Sequence, residues 1–361
     1  MKPTQELHEA GQSLWLDNIT RELLTSGKLQ SYIDEYSLTG LTSNPSIFDK
    51  AIEHSGAYDQ EIAQGLSRRE SAEDIFFKLA IADLRAAAEL FQPIHNRTAG
   101  LDGWVSLEVS PLLADDAEAT IQAAGRLHQQ AGRPNLFIKI PGTESGLKAI
   151  EECTFAGVPI NVTLLFSAEQ YLAAAEAYLR GLERRVEAGL DPDVGSVASL
   201  FVSRWDAAVS GKVGEPLRNR VGIAAAAQAY RVYGDLLDSP RWQRLANLGA
   251  RPQRLLWAST STKDPTAPDV LYVVALAAPL TINTMPEATL LAFAEHGTLR
   301  ALLPRDGGDA DQVMSQLAEA GLDPKQLASD LQRQGAEAFD ESWRNLLDCI
   351  DGKAAQIAGG R

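Results

Sequence analysis

Lys139 lies within "LFIKIP", residues Leu136–Pro141, a run that otherwise reads as a short buried strand. Lysine is rarely fully buried unless another group pairs with it or a reaction uses it. Strand side chains alternate between faces, so Leu136, Ile138 and Ile140 share an aliphatic face and Phe137, Lys139 and Pro141 the opposite one. Removal from water disfavours an ammonium relative to the amine, and a neutral amine can attack a ketone to form a Schiff base. The protonated imine is an electron sink, so a carbon–carbon bond beside it can break. One carboxylate must then move a proton on the neighbouring hydroxyl, and another must manage the water lost and regained at the imine. Asp17, at the end of "SLWLD", and Glu108, in "GWVSLEV", are the candidates.

Other polar residues repeat the two-residue spacing. Ser106 precedes Glu108, Asn161 precedes Thr163 in "PINVTLLF", and Ser199 precedes Phe201 in "GSVASLFV"; Asn44 follows "LTGLTS". Arg204 and Lys263 come after two further strand-like runs, where an arginine fork and a lysine point charge suit a phosphate. Each residue taken singly has a plainer reading. Lys139 could snorkel from a strand end, Asp17 could cap a turn, and Glu108 could pair with an arginine. Asn44-Pro45-Ser46 is ordinary turn chemistry, Thr163 is a good strand former, Ser199 and Phe201 suit a core, and lone loop charges are usually solvated. Their joint occurrence at strand ends favours a site, but spacing does not name the reaction.

Eight runs must position these groups: Ser13–Asp17, Leu38–Ser43, Gly103–Val109, Leu136–Ile140, Pro159–Phe166, Gly195–Val202, Arg254–Thr260 and Pro279–Thr284. The segments between them are long enough for helices. Ser71 with Asp74 opens one whose Phe77, Ile81 and Leu84 share a face, and Ser167 with Gln170 forms a capping box before Tyr171, Ala174, Tyr178 and Leu182. Strand–helix alternation predicts a parallel sheet, and eight strands predict an α/β (β/α)8 barrel. A doubly wound sheet is the fallback, although no G-x-G-x-x-G follows a strand. Residues Phe48–Leu101 are expected to insert about two helices and Arg204–Pro252 a further helical stretch. The domain expectation is a single barrel over 1–361, with 298–361 a helical extension, started by Asp323-Pro324, that packs on it. Phe339 and Trp343, four apart on a helix, suit either packing onto the barrel mouth or a plain docking helix.

Composition narrows the function. Of 361 residues, 45% are hydrophobic and 22% charged, as in a globular protein with a sizeable core, and the net charge of −15 argues against nucleic acid or an anionic membrane as partner. A small anion remains compatible, since a pocket needs only a few local cations. Two cysteines, Cys153 and Cys349, form no disulfide framework, the five histidines show no metal-ligand spacing, and no signal-peptide core stands at the N-terminus. The longest apolar run, "VLYVVALAAPLTI", is too short to span a bilayer. A cytoplasmic location is expected.

The segments "GLTSNPSIFDKAI", "LFIKIPGTESGLKAI", "GVPINVTLLFSAEQY" and "ASTSTKDP" resemble the transaldolases, in their longer bacterial subgroup, over most of the chain. The resemblance implies a (β/α)8 barrel of the non-oxidative pentose phosphate pathway. The implied reaction moves a dihydroxyacetone unit from sedoheptulose 7-phosphate to glyceraldehyde 3-phosphate, giving erythrose 4-phosphate and fructose 6-phosphate. No cofactor and no metal are implied, the partners being small-molecule sugar phosphates, with a monomer or homodimer as the assembly. It implies Lys139 as the Schiff-base lysine, Asp17 as the acid/base on the donor C4 hydroxyl, and Glu108 with Thr163 as the pair that positions the catalytic water. Asn44 and Asn161 would hold the dihydroxyacetone hydroxyls, and Ser199 and Arg204 the phosphate. Many transaldolases place an arginine after the seventh strand; this chain reads "STSTK", with Lys263 as the substitute and Ser259 or Ser261 nearby. Relatives that cleave fructose 6-phosphate tend to carry tyrosine where this chain has Phe201, so a phenyl ring there favours transfer over cleavage. The competing readings are a class I aldolase on the same fold and a catalytically dead barrel that binds sugar phosphates or a protein.

Overall fold

Eight strands, β1 (Ser13–Asp17), β2 (Leu38–Thr42), β3 (Trp104–Glu108), β4 (Leu136–Pro141), β5 (Ile160–Leu165), β6 (Ser196–Phe201), β7 (Gln253–Ala258) and β8 (Ile282–Met285), pair in chain order. All pairs are parallel, and β8 closes onto β1, giving the expected (β/α)8 barrel. The computed structural model describes residues 2–359. Among them no helix is long and apolar enough to cross a membrane.

Period-two alternation sorts the strand residues into two buried clusters. Leu136, Ile138 and Ile140 join Val105, Leu107, Ala198, Leu200, Leu255 and Trp257 outside the barrel, beneath the helices. Trp15, Trp104, Phe137, Val197, Leu256 and Ile282 fill the inside. The Trp104 and Phe137 rings stack 4.0 Å apart, and Trp15 lies 6.2 Å from Phe137. Both indoles have polar partners, Trp15 Nε1 donating to Asp102 at 2.8 Å and Trp104 Nε1 to the Gly100 carbonyl at 2.9 Å. These rings form an apolar floor. Further along most strands the inward positions become polar: Asp17, Thr42, Ser106 and then Glu108, Lys139, Asn161 and Ser199.

The floor explains Gly40 on β2. A Cβ there would lie 2.5 Å from the Trp15 indole, so only glycine lets that ring cross the barrel.

The insertion between β2 and β3 holds three α-helices, Pro45–Glu53, Asp59–Ser67 and Ala72–Arg97, rather than the two expected. A 3-10 turn at Gly56–Tyr58, capped by Ser55, separates the first two, so a single periodic stretch becomes two helices. The Ser71 cap forms as expected, accepting from Asp74 N at 3.1 Å. Ser167 also caps its helix, but the Gln170 side chain accepts from Phe166 N, so the reciprocal half of the capping box shifts by one residue.

The C-terminal helix runs from Pro324 to Gly359, with the Asp323 side chain accepting from Lys325 N. It lies against all three insertion helices. Trp343 is fully buried, 5.1 Å from Phe76 and 5.5 Å from Phe77. Lys353 donates to the Ser55 carbonyl and to Asp59 at 2.6 and 2.9 Å. Trp343 thus packs on the insertion, while Phe339, one turn earlier, faces the mouth.

Packing of the floor gives a paired prediction. Gly40→Ala should lower stability by about 1–3 kcal/mol through overpacking against Trp15. Gly125→Ala, on the helix Ala117–Ala131 with open space around its Cβ, should raise it by about 0.5–1 kcal/mol. Urea midpoints of the two variants should move in opposite directions; equal shifts would contradict the packing argument.

Candidate active site

A cavity of about 230 Å³ opens at the C-terminal end of the barrel strands, where parallel barrels gather reactive groups. Eight of the ten residues singled out in the sequence line it: Asp17, Asn44, Lys139, Thr163, Ser199, Phe201, Arg204 and Lys263. Glu108 and Asn161 stand behind this wall, in register with Lys139 on either side of β4.

Lys139 is 6% exposed, so it does not snorkel to solvent. Its Nζ donates to the Ser43 carbonyl at 2.8 Å and reaches Glu108 Oε2 at 3.5 Å. A tetrahedral nitrogen held at two corners presents its remaining substituents, or the lone pair of a neutral amine, toward the cavity it lines.

Two carboxyl groups flank the lysine. Glu108 is buried, and burial pushes its pKa up to about 7, with Lys139 opposing the rise and nearby Asp17 adding to it. Asp17 is also raised above the ordinary carboxylate range by burial, opposed by Lys139 and by a hydrogen bond from Thr42. Both acids are therefore held closer to neutral pH than exposed ones, a condition for proton transfer there.

Thr42 and Thr284, absent from the sequence reading, complete this arrangement. Thr42 Oγ1 donates to Asp17 Oδ1 at 2.9 Å and lies 2.6 Å from Thr284 Oγ1. With its one proton committed to Asp17, Thr42 must accept from Thr284, so the two hydroxyls form a directed chain ending on the carboxylate. Thr42 sits two residues after Gly40 on the inward face of β2, and that alternation was the signal available for it. The Ser43 carbonyl, a backbone group, left no signal in residue types.

The amides behave differently from one another. Asn44 caps the helix Pro45–Glu53, its Oδ1 accepting from Ile47 N and Ser46 Oγ. Its Nδ2 points no bond at the described residues and is the donor left for a ligand. Asn161 is fully buried, donating to Ser106 Oγ at 3.1 Å and accepting from Ser199 Oγ at 2.7 Å. The hydrogen bond made by Ser199 therefore serves Asn161 inside the barrel, not an anion at the rim. Thr163 Oγ1 is buried without a hydrogen-bond partner among the described residues. Such a hydroxyl costs about 1–3 kcal/mol, a cost that a site tolerates when the group has a ligand to meet.

The outer end of the cavity is cationic. Arg204 Cζ lies 5.5 Å from the Phe201 ring centroid, and Phe201 packs between Phe166 and Phe339. Burial lowers the Arg204 pKa, with no carboxylate offsetting it. Lys263 is exposed, its Nζ donating to Ser261 Oγ at 2.7 Å, and Ser259 Oγ lies 2.9 Å from Ser203 Oγ.

Comparison with known proteins agrees with this architecture. The family described as Transaldolase/Fructose-6-phosphate aldolase matches residues 14–350. A transaldolase of a Parafrankia species is 45% identical over 358 residues, covering 97% of each chain. That of Acidothermus cellulolyticus is 45% identical over 356 residues, covering 96% of each, and transaldolase 2 of a Nostoc species is 39% identical over 372 residues, covering 98% of each. The chain belongs to the transaldolase/fructose-6-phosphate aldolase family and is an enzyme of the transaldolase type.

Proposed function

We propose that the chain transfers a dihydroxyacetone unit from sedoheptulose 7-phosphate to glyceraldehyde 3-phosphate through a Schiff base on Lys139. The observation that carries this reading is Lys139 Nζ, buried between two raised carboxyl groups on the inner wall of a cavity whose outer end holds Arg204 and Lys263. The transaldolase names of the relatives support the choice of reaction.

In this mechanism the Lys139 amine attacks the donor C2 carbonyl. Protonated Glu108 supplies the proton that lets the carbinolamine oxygen leave as water, and Thr163 holds that water. Asp17 takes the proton of the C4 hydroxyl as the C3–C4 bond breaks, and the bonding electrons flow into the imine to give an enamine. The aldose departs and the acceptor aldehyde takes its place. Enamine attack forms the new bond, Asp17 returns its proton to the new C4 oxygen, and water releases the product ketose. Asn44 Nδ2 holds the dihydroxyacetone hydroxyls, with Asn161 behind it, one of its Nδ2 hydrogens still uncommitted. Ser199 supports Asn161, and Arg204 with Lys263 binds the phosphate. Phe201 places no hydroxyl beside the enamine, which favours transfer over protonation and release.

Three measurements test this. Borohydride reduction with fructose 6-phosphate should place the adduct on Lys139, and Lys139→Ala should lose transfer by roughly 10³-fold or more while remaining folded. Adduct on another lysine, or cleavage equally fast with and without erythrose 4-phosphate, would overturn the transferase reading.

Arg204→Met should raise KM for fructose 6-phosphate by roughly 10- to 100-fold, the loss expected from a charged hydrogen bond of about 1.5–3 kcal/mol. Adduct formation with unphosphorylated dihydroxyacetone should change little; an equal loss with both ligands would remove Arg204 from phosphate binding.

Glu108 binds its proton more tightly folded than unfolded, so its contribution to stability is fully present below pH 4.5 and is lost as pH rises through about 7. Glu108→Gln cannot ionise. Its melting temperature relative to the parent should therefore be more favourable at pH 8 than at pH 5, and a difference independent of pH would contradict the raised acid.

A further inference from the structure

Gln332, half-buried on the C-terminal helix, gives its side-chain Nε2 to two backbone carbonyls, Gly142 at 3.0 Å and Leu164 at 2.9 Å. Gly142 follows the last residue of β4, the strand of Lys139, and Leu164 follows Thr163 on β5. Neither carbonyl lies within a regular ladder. Leu164 has φ 58°, and the β5–β6 register shifts between Val162 and Leu165. This bulge turns Leu164 inward with Phe166 and Phe201, while Leu165 packs outside the barrel. A bulge leaves backbone groups without ladder partners, and left-handed geometry costs a residue with a Cβ about 1–2 kcal/mol. Such a conformation persists only where neighbours hold it.

The C-terminal helix holds it twice. Gln332 bonds the freed carbonyl, and Gly335, three residues on, admits the Leu164 side chain; a Cβ at 335 would sit 2.9 Å from Leu164 Cδ2. The same amide is tied to β4, where Gly142 N donates to Thr163 O at 2.8 Å and Pro141 is in register with Thr163. Gln332 therefore bridges the two strand ends whose relative placement sets the distance from the Thr163 hydroxyl to the Lys139 amine.

We propose that Gln332 is a positioning residue for the reaction, clamping the ends of β4 and β5 so that Thr163 faces the carbon attached to Lys139. The proposal rests on the reading of Thr163 as the holder of the reacting water. A side chain that can donate to both carbonyls should substitute for it, and an isostere without a donor should fail.

The test uses the full chain with three variants at matched pH. Gln332→Met keeps length and packing but donates nothing; Gln332→Lys can donate to both carbonyls; Thr163→Ala removes the hydroxyl. Gln332→Met should lower kcat for transfer by roughly 10- to 100-fold, as a displacement near 1 Å does, with KM for fructose 6-phosphate within about twofold. Gln332→Lys should recover most of that loss. Because Gln332 acts through Thr163, the double variant Gln332→Met/Thr163→Ala should be no slower than Thr163→Ala by more than about twofold, the non-additivity expected of coupled residues. Unchanged kcat in Gln332→Met, a loss not recovered by lysine, or additive losses would each overturn the proposal. Borohydride trapping on the parent chain separates the two readings. Absence of a Lys139 adduct there defeats the Schiff-base mechanism, whereas a normal parent with an unaffected Gln332→Met defeats the clamp alone.

Discussion

One buried lysine facing two buried carboxyl groups is the constraint on which the site depends. A unit-charge pair 4 Å apart gains about 4 kcal/mol at an effective dielectric of 20, while each ion removed from water costs several kcal/mol even after relaxation. A single Lys139 cannot offset the desolvation of both Asp17 and Glu108, so burial wins and both acids are raised. The imbalance holds Glu108 up at about 7 and Asp17 above its ordinary range. Mutual neutralisation would give a stable salt bridge and no acid.

That imbalance exists because the barrel excludes water from below. The stacked rings of Trp15, Trp104 and Phe137 close the floor, with their indole N–H groups satisfied by Asp102 and Gly100 beneath the reacting layer. Below it the inward Ser13 and Arg254 pair with each other and with Asp102, and the polar groups of the site lie above it. Each strand therefore does two jobs with adjacent inward positions: Trp15 then Asp17 on β1, Trp104 then Glu108 beyond Ser106 on β3, Phe137 then Lys139 on β4. The dry floor makes the carboxyl groups above it reactive, and Gly40 is the concession that lets Trp15 fit.

Alternation at period two made the barrel and its inward groups legible, since residues such as Phe137 and Lys139 declare one face and Leu136, Ile138 and Ile140 the other. What broke that period was not legible. The bulge at Leu164 inverts the sidedness of Leu164 and Leu165, and nothing in "VTLLF" distinguishes the two leucines. Ser199 shows the same limit: its type suits a phosphate, but its hydrogen bond goes to Asn161, and only coordinates rank two polar neighbours. Thr42 bonds Asp17 directly and Thr284 only through Thr42, and the pairing of β8 with β1 that brings Thr284 there joins chain ends, which local spacing does not carry. The extra helix of the insertion hinges on Ser55 capping a single 3-10 turn, too short a feature for periodicity to resolve.

Arg204 connects the outer end of the site to the energetics of the inner end. In a chain of net charge −15, arginines such as Arg21, Arg184 and Arg241 find carboxylates. Arg204 rests on the Phe201 face instead, and burial disfavours its charge. Phe201 covers one side of the guanidinium and is itself backed by Phe339 of the C-terminal helix, leaving the N–H edge for an anion. An anion arriving there relieves a cost already present in the free protein, so its attraction exceeds that of a solvated surface arginine. Interactions with a remote group of this kind raise the rate when they position the reacting carbon rather than merely hold the ligand. The C-terminal helix takes part at both ends, through Phe339 at the cation and Gln332 at the ends of β4 and β5. In the proposed reaction this one helix would set the span between the cationic edge and Lys139.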